Sequence, residues 1–155
     1  MLKTREVTID APATSRDLGK RFLIKEMPAV QAEAWAIRAM GAMARGGVEI
    51  PDNIMQGGLV AFTAFGLKAL MGAPYVESAP LLAEMMDCVQ IIEPAITRKL
   101  LDTDIEEVAT ILRLRDEVIE LHTGFSIAAV LLGMAADLAT PEAMSEQSNT
   151  PTPVN

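Results

Sequence analysis

The clearest helical signature in the chain is TDIEEVATILRLRDEVIELHTG, residues 103–124. Thr103 and Glu106 have the spacing of a capping box, in which the threonine oxygen and the glutamate satisfy early backbone amides. Gly124 stands where a left-handed residue commonly ends a helix. The apolar side chains cover more than half of the circumference: Ile105, Val108, Ile111, Leu112, Leu114, Val118 and Leu121. A helix is therefore predicted over 103–122, with more apolar surface than packing on one layer needs.

Proline and glycine signals divide the rest of the chain into further predicted helices. The predicted spans are 28–45, 51–71, 76–89 and 126–138, with a weak point at Gly57-Gly58. Residues 59–71 are apolar on nearly every face. This pattern predicts a central helix that is covered either by its own fold or by a partner.

Short strands are predicted before the first helix and again after the helix at 76–89. Residues 6–9 and 21–24 alternate weakly and enclose turn signals, which predicts one β-hairpin. Residues 91–92 and 97–100 flank Pro94 and predict a second, shorter hairpin. Aromatic residues are only 4 % of the chain and Met reaches 10 residues, which favours helices over a large sheet.

The predicted fold is therefore mainly α, with about five helices and one or two short β-hairpins in a single domain. Residues 1–140 form this helical domain with its N-terminal hairpin. Residues 141–155 contain little that could be buried, so a disordered tail is predicted there.

Composition excludes several classes of partner. The net charge is −8, from 13 basic and 21 acidic residues, so the chain should repel nucleic-acid phosphates. The apolar stretch 54–73 contains Lys68 and four glycines, which favours a core helix over a membrane span. Cys88 is the single cysteine, and no secretory signal follows the charged start, so a cytoplasmic location is expected.

Side chains for catalysis or metal binding do not form a recognisable pattern. His122 is the single histidine and is predicted to cap a helix or lie on the surface. Glu84 and Asp87 share a helical face but lack a third ligand, and no glycine-rich phosphate loop is present. No catalytic residue, cofactor or metal site is predicted, and the chain is not expected to be an enzyme.

The methionines permit two interpretations. Met40, Met43, Met71, Met85 and Met86 can fill an irregular core, because Met is flexible and unbranched. The other interpretation is an adaptable surface that grips an apolar helix of a partner. The sequence leaves both interpretations open.

Several stretches resemble small proteins encoded among the tail genes of long-tailed, siphovirus-like phages and prophages. They are GKRFLIKEMPA at 19–29 with AEAWA at 32–36, LAEMMDCVQ at 82–90, DIEEVA at 104–109 and LHTGF at 121–125. The similarity covers about residues 19–130 and is to the tail assembly chaperones. It implies a non-enzymatic protein of the host bacterial cytoplasm. Such a protein binds the tape measure protein and keeps it soluble before the tail tube polymerises.

The tail tube protein is a further partner that the resemblance implies. The two strongly apolar segments also predict self-association into a homo-oligomer. The predicted partner-binding residues are Leu59, Phe62, Phe65, Met85, Met86, Ile111, Leu114 and Val118. An alternative hypothesis is a small acidic phage or bacterial regulator, which would inhibit a host protein by docking the acidic edge Glu77, Glu84 and Asp87.

Overall fold

The structure is a computed structural model that describes residues 1–47 and 70–124. Four strands are present: β1 (Thr4–Thr8), β2 (Arg21–Lys25), β3 (Val89–Ile92) and β4 (Thr97–Lys99). Among residues 1–47 and 70–124, three helices are described in full, α1 (Ala29–Arg45), α2 (Tyr75–Met86) and α3 (Val108–Thr123), and residues 70–72 are also helical. The order along the chain is β1, β2, α1, α2, β3, β4, α3.

The strands form one antiparallel sheet in the order β1-β2-β3-β4. Val7 lies opposite Phe22, and Phe22 lies opposite Ile91, so these three side chains share one face of the sheet. Phe22 and Ile24 have no exposed surface, whereas Arg21 and Lys25 beside them are exposed. The alternation buries one face of the sheet, which α3 covers by packing on β1 and β2.

The prediction of a mainly α fold is wrong. About 47 % of the described residues are helical and 17 % lie in strands, so the fold is mixed α/β. Both predicted hairpins exist, but β2 pairs with β3 and joins them into one sheet. This pairing links strands on either side of α1 and α2, and local alternation in a sequence carries no record of such a long-range partner.

Two predicted helix boundaries also need correction. The helix predicted over 76–89 ends at Met86, because Val89 already belongs to β3. The helix predicted from Thr103 begins at Val108, with Glu107 as its N-cap and no side-chain capping bond from that residue. The capping box at Thr103 therefore does not start this helix. The C-terminal prediction is confirmed, because Gly124 has a φ of 79° and donates its amide to the Glu120 carbonyl.

The described residues bury two apolar clusters. The larger one lies between the sheet, α2 and α3, and includes Phe22, Ile24 and Leu114 at its centre. The smaller one joins α1 to α2 through Ala42 and Leu81, together with Leu70. The helix predicted over 126–138, the tail 141–155 and nearly all of the helix predicted over 51–71 lie outside the described residues.

Candidate partner-binding surfaces

Among the described residues, α1 is fixed to α2 along one side. Trp35 Nε1 donates a hydrogen bond of 2.9 Å to the Leu81 carbonyl oxygen. Arg38 binds Glu84 at 2.7 Å and Arg45 binds Glu77 at 2.6 Å. These contacts set the rotation of α1 about its axis and therefore determine which of its residues face away from the domain.

The side of α1 that faces away from α2 is mostly apolar, with Glu33 as its exposed acid. Val30 is 79 % exposed, Ile37 59 % and Met40 43 %. Along this side of the helix, successive residues are alternately four and three positions apart. This is the spacing at which residues line the contact between two paired helices. We call this set the outer face of α1: Val30, Ala34, Ile37, Gly41 and Ala44, with Met40 beside it. Its alanines at 34 and 44 would let a second helix approach closely, while the Arg45 guanidinium lies beside Gly41.

The outer face of α1 was missing from the predicted binding residues. Its spacing is present in the sequence, but the predicted binding residues were taken only from residues 59–65, 85–86 and 111–118. The ion pairs of Arg38 with Glu84 and of Arg45 with Glu77 determine which side of α1 faces α2. A search for ion pairs between the two helices could have indicated which side points outwards.

The predicted binding residues divide into three groups in the structure. Met85, Leu114 and Val118 are 1 %, 0 % and 2 % exposed and belong to the core, so they are not free surface. The apolar arc is wide because one part of α3 covers the sheet while another faces outwards. Met86 and Ile111 are partly buried and line a groove. Leu59, Phe62 and Phe65 lie outside the described residues.

The outward part of α3 contributes a second apolar patch. Val108 and Leu112 are exposed and lie one helical turn apart, so their side chains are neighbours on the same side of the helix. This α3 patch is smaller than the outer face of α1. Val108 and Leu112 are therefore the part of the apolar side of α3 that a partner could contact.

A groove of about 370 Å³ separates the end of α2 from β4 and the start of α3. Its apolar lining includes Met86, Leu100, Leu101, Ile105 and Ile111, and its polar lining includes Asp87, Lys99, Asp102 and Arg115. The groove therefore combines apolar walls with charges of both signs. We call it the Arg115 groove.

The acidic edge on α2 is largely neutralised by α1. The hydrogen bond from Arg45 lowers the pKa of Glu77. Burial raises the pKa of Glu84, but hydrogen bonds from Arg38 and Gln31 outweigh this effect and lower it overall. Two of the three acids that the docking hypothesis would use are thus engaged in holding the helices together.

The start of α3 is capped by a residue from the loop between β1 and β2. Asp17 is completely buried, and its carboxylate accepts hydrogen bonds of 3.0 Å from both the Glu106 and the Glu107 amides. Lys20 Nζ binds the same carboxylate at 2.7 Å. Burial raises the pKa of Asp17, but these hydrogen bonds outweigh it and lower the pKa to about 2. The loop and the helix are therefore joined by one buried carboxylate.

His122 connects the end of α3 to the start of α1. The Met27 amide donates a hydrogen bond of 2.7 Å to His122 Nε2. Because Nε2 accepts, the ring proton lies on Nδ1, which donates to the Val118 carbonyl oxygen at 2.7 Å. His122 thus lies in the last turn of α3 and bonds one of its last carbonyls, in line with the predicted capping role, and it also accepts the Met27 amide, which was not predicted.

The described residues offer little support for a reactive thiol, a metal site or a membrane span. Cys88 is buried, and this burial raises the pKa of its thiol to about 11, which keeps the thiolate population low at neutral pH. Within residues 1–47 and 70–124, no group of three or more histidine, cysteine or acidic side chains could hold a metal ion. No helix among these residues has the length and apolarity needed to cross a bilayer.

A scan of protein-family models, a search of curated proteins and a search of solved structures each gave no match to this chain.

Acid should destabilise the fold through two carboxylates. Asp104, which binds Arg98 at 2.7 Å, has its pKa lowered to about 2 chiefly by that hydrogen bond, and the pKa of Asp17 is also about 2. The ordinary value is 3.8 for both groups, so the unfolded chain takes up these protons first as the pH falls. Each group contributes about 2 kcal/mol to the free energy of unfolding. This contribution is complete above about pH 4 and is lost as the pH falls towards 2.

Urea unfolding at a series of pH values measures this loss. We expect the midpoint to fall steeply between about pH 4 and pH 2. The Asp17→Asn variant should show a shallower fall over the same range, because it lacks one of the two groups. Equal midpoints at pH 5 and pH 2.5 in the unsubstituted chain would contradict the assignment.

Proposed function

We propose that this chain is a tail assembly chaperone that binds helices of a tape measure protein in the host bacterial cytoplasm. In this role it keeps the partner soluble until the tail tube polymerises. The observation that carries the proposal is the outer face of α1, where Val30, Ile37 and Met40 are exposed on one helix. The resemblance to tail assembly chaperones supplies the identity of the partner.

The outer face suits an amphipathic helix as the ligand. Its steps of four and three match the spacing at which a partner helix presents its own apolar residues. Removing a large apolar side chain fully from water contributes about 1.5–3 kcal/mol, so a few such residues can offset part of the cost of association. Because the contact is apolar, its affinity should survive moderate salt, unlike an exposed charge contact.

The proposed surface differs from the one predicted from sequence. The outer face of α1 and the α3 patch take the place of Met85, Leu114 and Val118, which are core residues. Self-association remains part of the proposal, because a second copy could cover the same apolar faces. The tail tube protein remains a proposed further partner.

The alternative function, an acidic inhibitor of a host protein, has less support. It requires a free acidic surface, but Glu77 and Glu84 are paired with Arg45 and Arg38. Asp87 is the remaining member of that edge. An exposed apolar helix face is the stronger feature, so we do not develop the alternative further.

Coexpression in a bacterial host tests the proposed function. The proposal predicts a neighbouring gene that encodes a very long helical protein, and the product of that gene is the partner to coexpress. We expect it to be insoluble alone and to be recovered in a soluble complex when this chain is present. A long helical neighbour that stays insoluble, and is not retained by the affinity-tagged chain, would contradict the proposal.

A further inference from the structure

Arg115 differs from the other arginines in having no ion-pair partner among residues 1–47 and 70–124. All eight arginines lie within the described residues, and seven of them form ion pairs with carboxylates: Arg5, Arg16, Arg21, Arg38, Arg45, Arg98 and Arg113. The Nε atom of Arg115 is buried and has no hydrogen-bond partner among residues 1–47 and 70–124. In a chain with an excess of acids, an arginine without a carboxylate is a notable exception.

The missing partner has an energetic cost. A buried donor without an acceptor destabilises the fold, and a charged donor does so more strongly. Burial lowers the pKa of the Arg115 guanidinium, and Asp87 and Asp102, which line the same groove, do not pair with it. Arg115 lines the groove, so a carboxylate that entered it could bind the guanidinium through charged hydrogen bonds and offset part of the cost of its burial.

The rest of the groove restricts the kind of anion that fits. Met86, Ile105 and Ile111 provide apolar walls, which a free inorganic anion would leave uncovered. Asp87 and Asp102 also line the groove and would repel a doubly charged phosphate more strongly than a single carboxylate. The volume of about 370 Å³ accommodates a few side chains of a peptide.

We propose that the Arg115 groove binds a peptide segment of a partner protein, with an Asp or Glu carboxylate on Arg115 and neighbouring apolar side chains against Met86, Ile105 and Ile111. This site is separate from the outer face of α1, and it does not depend on which protein supplies the segment. It adds recognition of one charge at a defined position, which an apolar helix face alone does not provide.

Selection from a displayed library of random peptides tests this site with the full chain. We expect the enriched peptides to share an acidic residue flanked by apolar residues. A synthetic peptide with that consensus should bind Arg115→Gln at least about tenfold more weakly than the unsubstituted chain, as expected for one lost charged hydrogen bond. Arg113→Gln is the matched control, because it removes the same charge from α3 but disrupts only the exposed pair with Asp10.

A change on the peptide side keeps the test valid if Arg115→Gln fails to fold. Replacing the consensus acid by Gln or Asn in the peptide should weaken its binding to the unsubstituted chain by a similar factor. The proposal is overturned if no peptide family is enriched, or if the enriched peptides lack an acid. Equal binding of the acidic and amide peptides would overturn it as well.

Discussion

Replacing Asp17 by Ala should lower the free energy of unfolding by about 3 kcal/mol or more. The variant leaves the amides of Glu106 and Glu107 without their acceptor at the start of α3. It also leaves Lys20 without its closest carboxylate, although Glu106 remains within 3.0 Å. The loss should therefore exceed that of an ordinary helix cap, which is about 0.5–2 kcal/mol. Urea denaturation followed by circular dichroism measures it.

Asp10→Ala is the control for this experiment. Asp10 lies in the same loop and also binds α3, through Arg113 at 3.0 Å, but its side chain is 74 % exposed. An exposed ion pair contributes about 0–1 kcal/mol, so this variant should stay close to the unsubstituted chain. Equal losses for the two variants would show that Asp17 does not have the special structural role assigned to it.

Leu114→Asp should abolish the cooperative folding of the chain. Leu114 has no exposed surface and belongs to the same core cluster as Met85 and Val118. A carboxylate at that position would lose its hydration without gaining a partner, at a cost of several kcal/mol, which is comparable to the stability of a small domain. Far-ultraviolet circular dichroism and the thermal transition report the outcome.

Leu112→Asp is a matched control two residues away on the same helix. Leu112 is 41 % exposed, so a charge at this position stays in contact with water. This variant should remain folded. A Leu114→Asp protein that also stays folded, but loses its partner, would return Leu114 to the binding surface on which the sequence interpretation placed it.

Local signals in the sequence were sufficient for several elements. The hairpin strands, the span of α1 between Pro28 and Gly46, and the left-handed Gly124 all follow from residues next to each other in the chain. The pairing of β2 with β3 does not, because it depends on how two distant hairpins meet. This one pairing turns a predicted helical fold with hairpins into a mixed α/β fold.

Capping of α3 illustrates the same limit. Thr103 and Glu106 have the correct spacing for a capping box, but Asp104 between them binds Arg98 at 2.7 Å and the helix begins later. The acceptor that the helix uses is Asp17, which is far away in the chain. A spacing rule finds only caps supplied by the same segment, so a cap from another loop is invisible to it.

The binding residues were difficult to predict for a related reason. The pattern of α3 shows that many positions are apolar, but it does not show which of them face the sheet. Leu114 and Val118 cover the sheet while Val108 and Leu112 face outwards, and only the packing of α3 on β1 and β2 decides between them. The outer face of α1 became identifiable once the contacts with α2 fixed the orientation of that helix.

The most direct test of the proposed function is binding of the tape measure protein by an Ile37→Asp variant. Ile37 lies at the centre of the outer face and is 59 % exposed, so the variant should fold while losing its apolar contact. Val76→Asp is the control, because it makes the same type of change at an exposed position on α2. Copurification after coexpression measures binding, and circular dichroism confirms folding. The account predicts that Ile37→Asp loses the complex and Val76→Asp keeps it, whereas full recovery of the complex with a folded Ile37→Asp protein would contradict it.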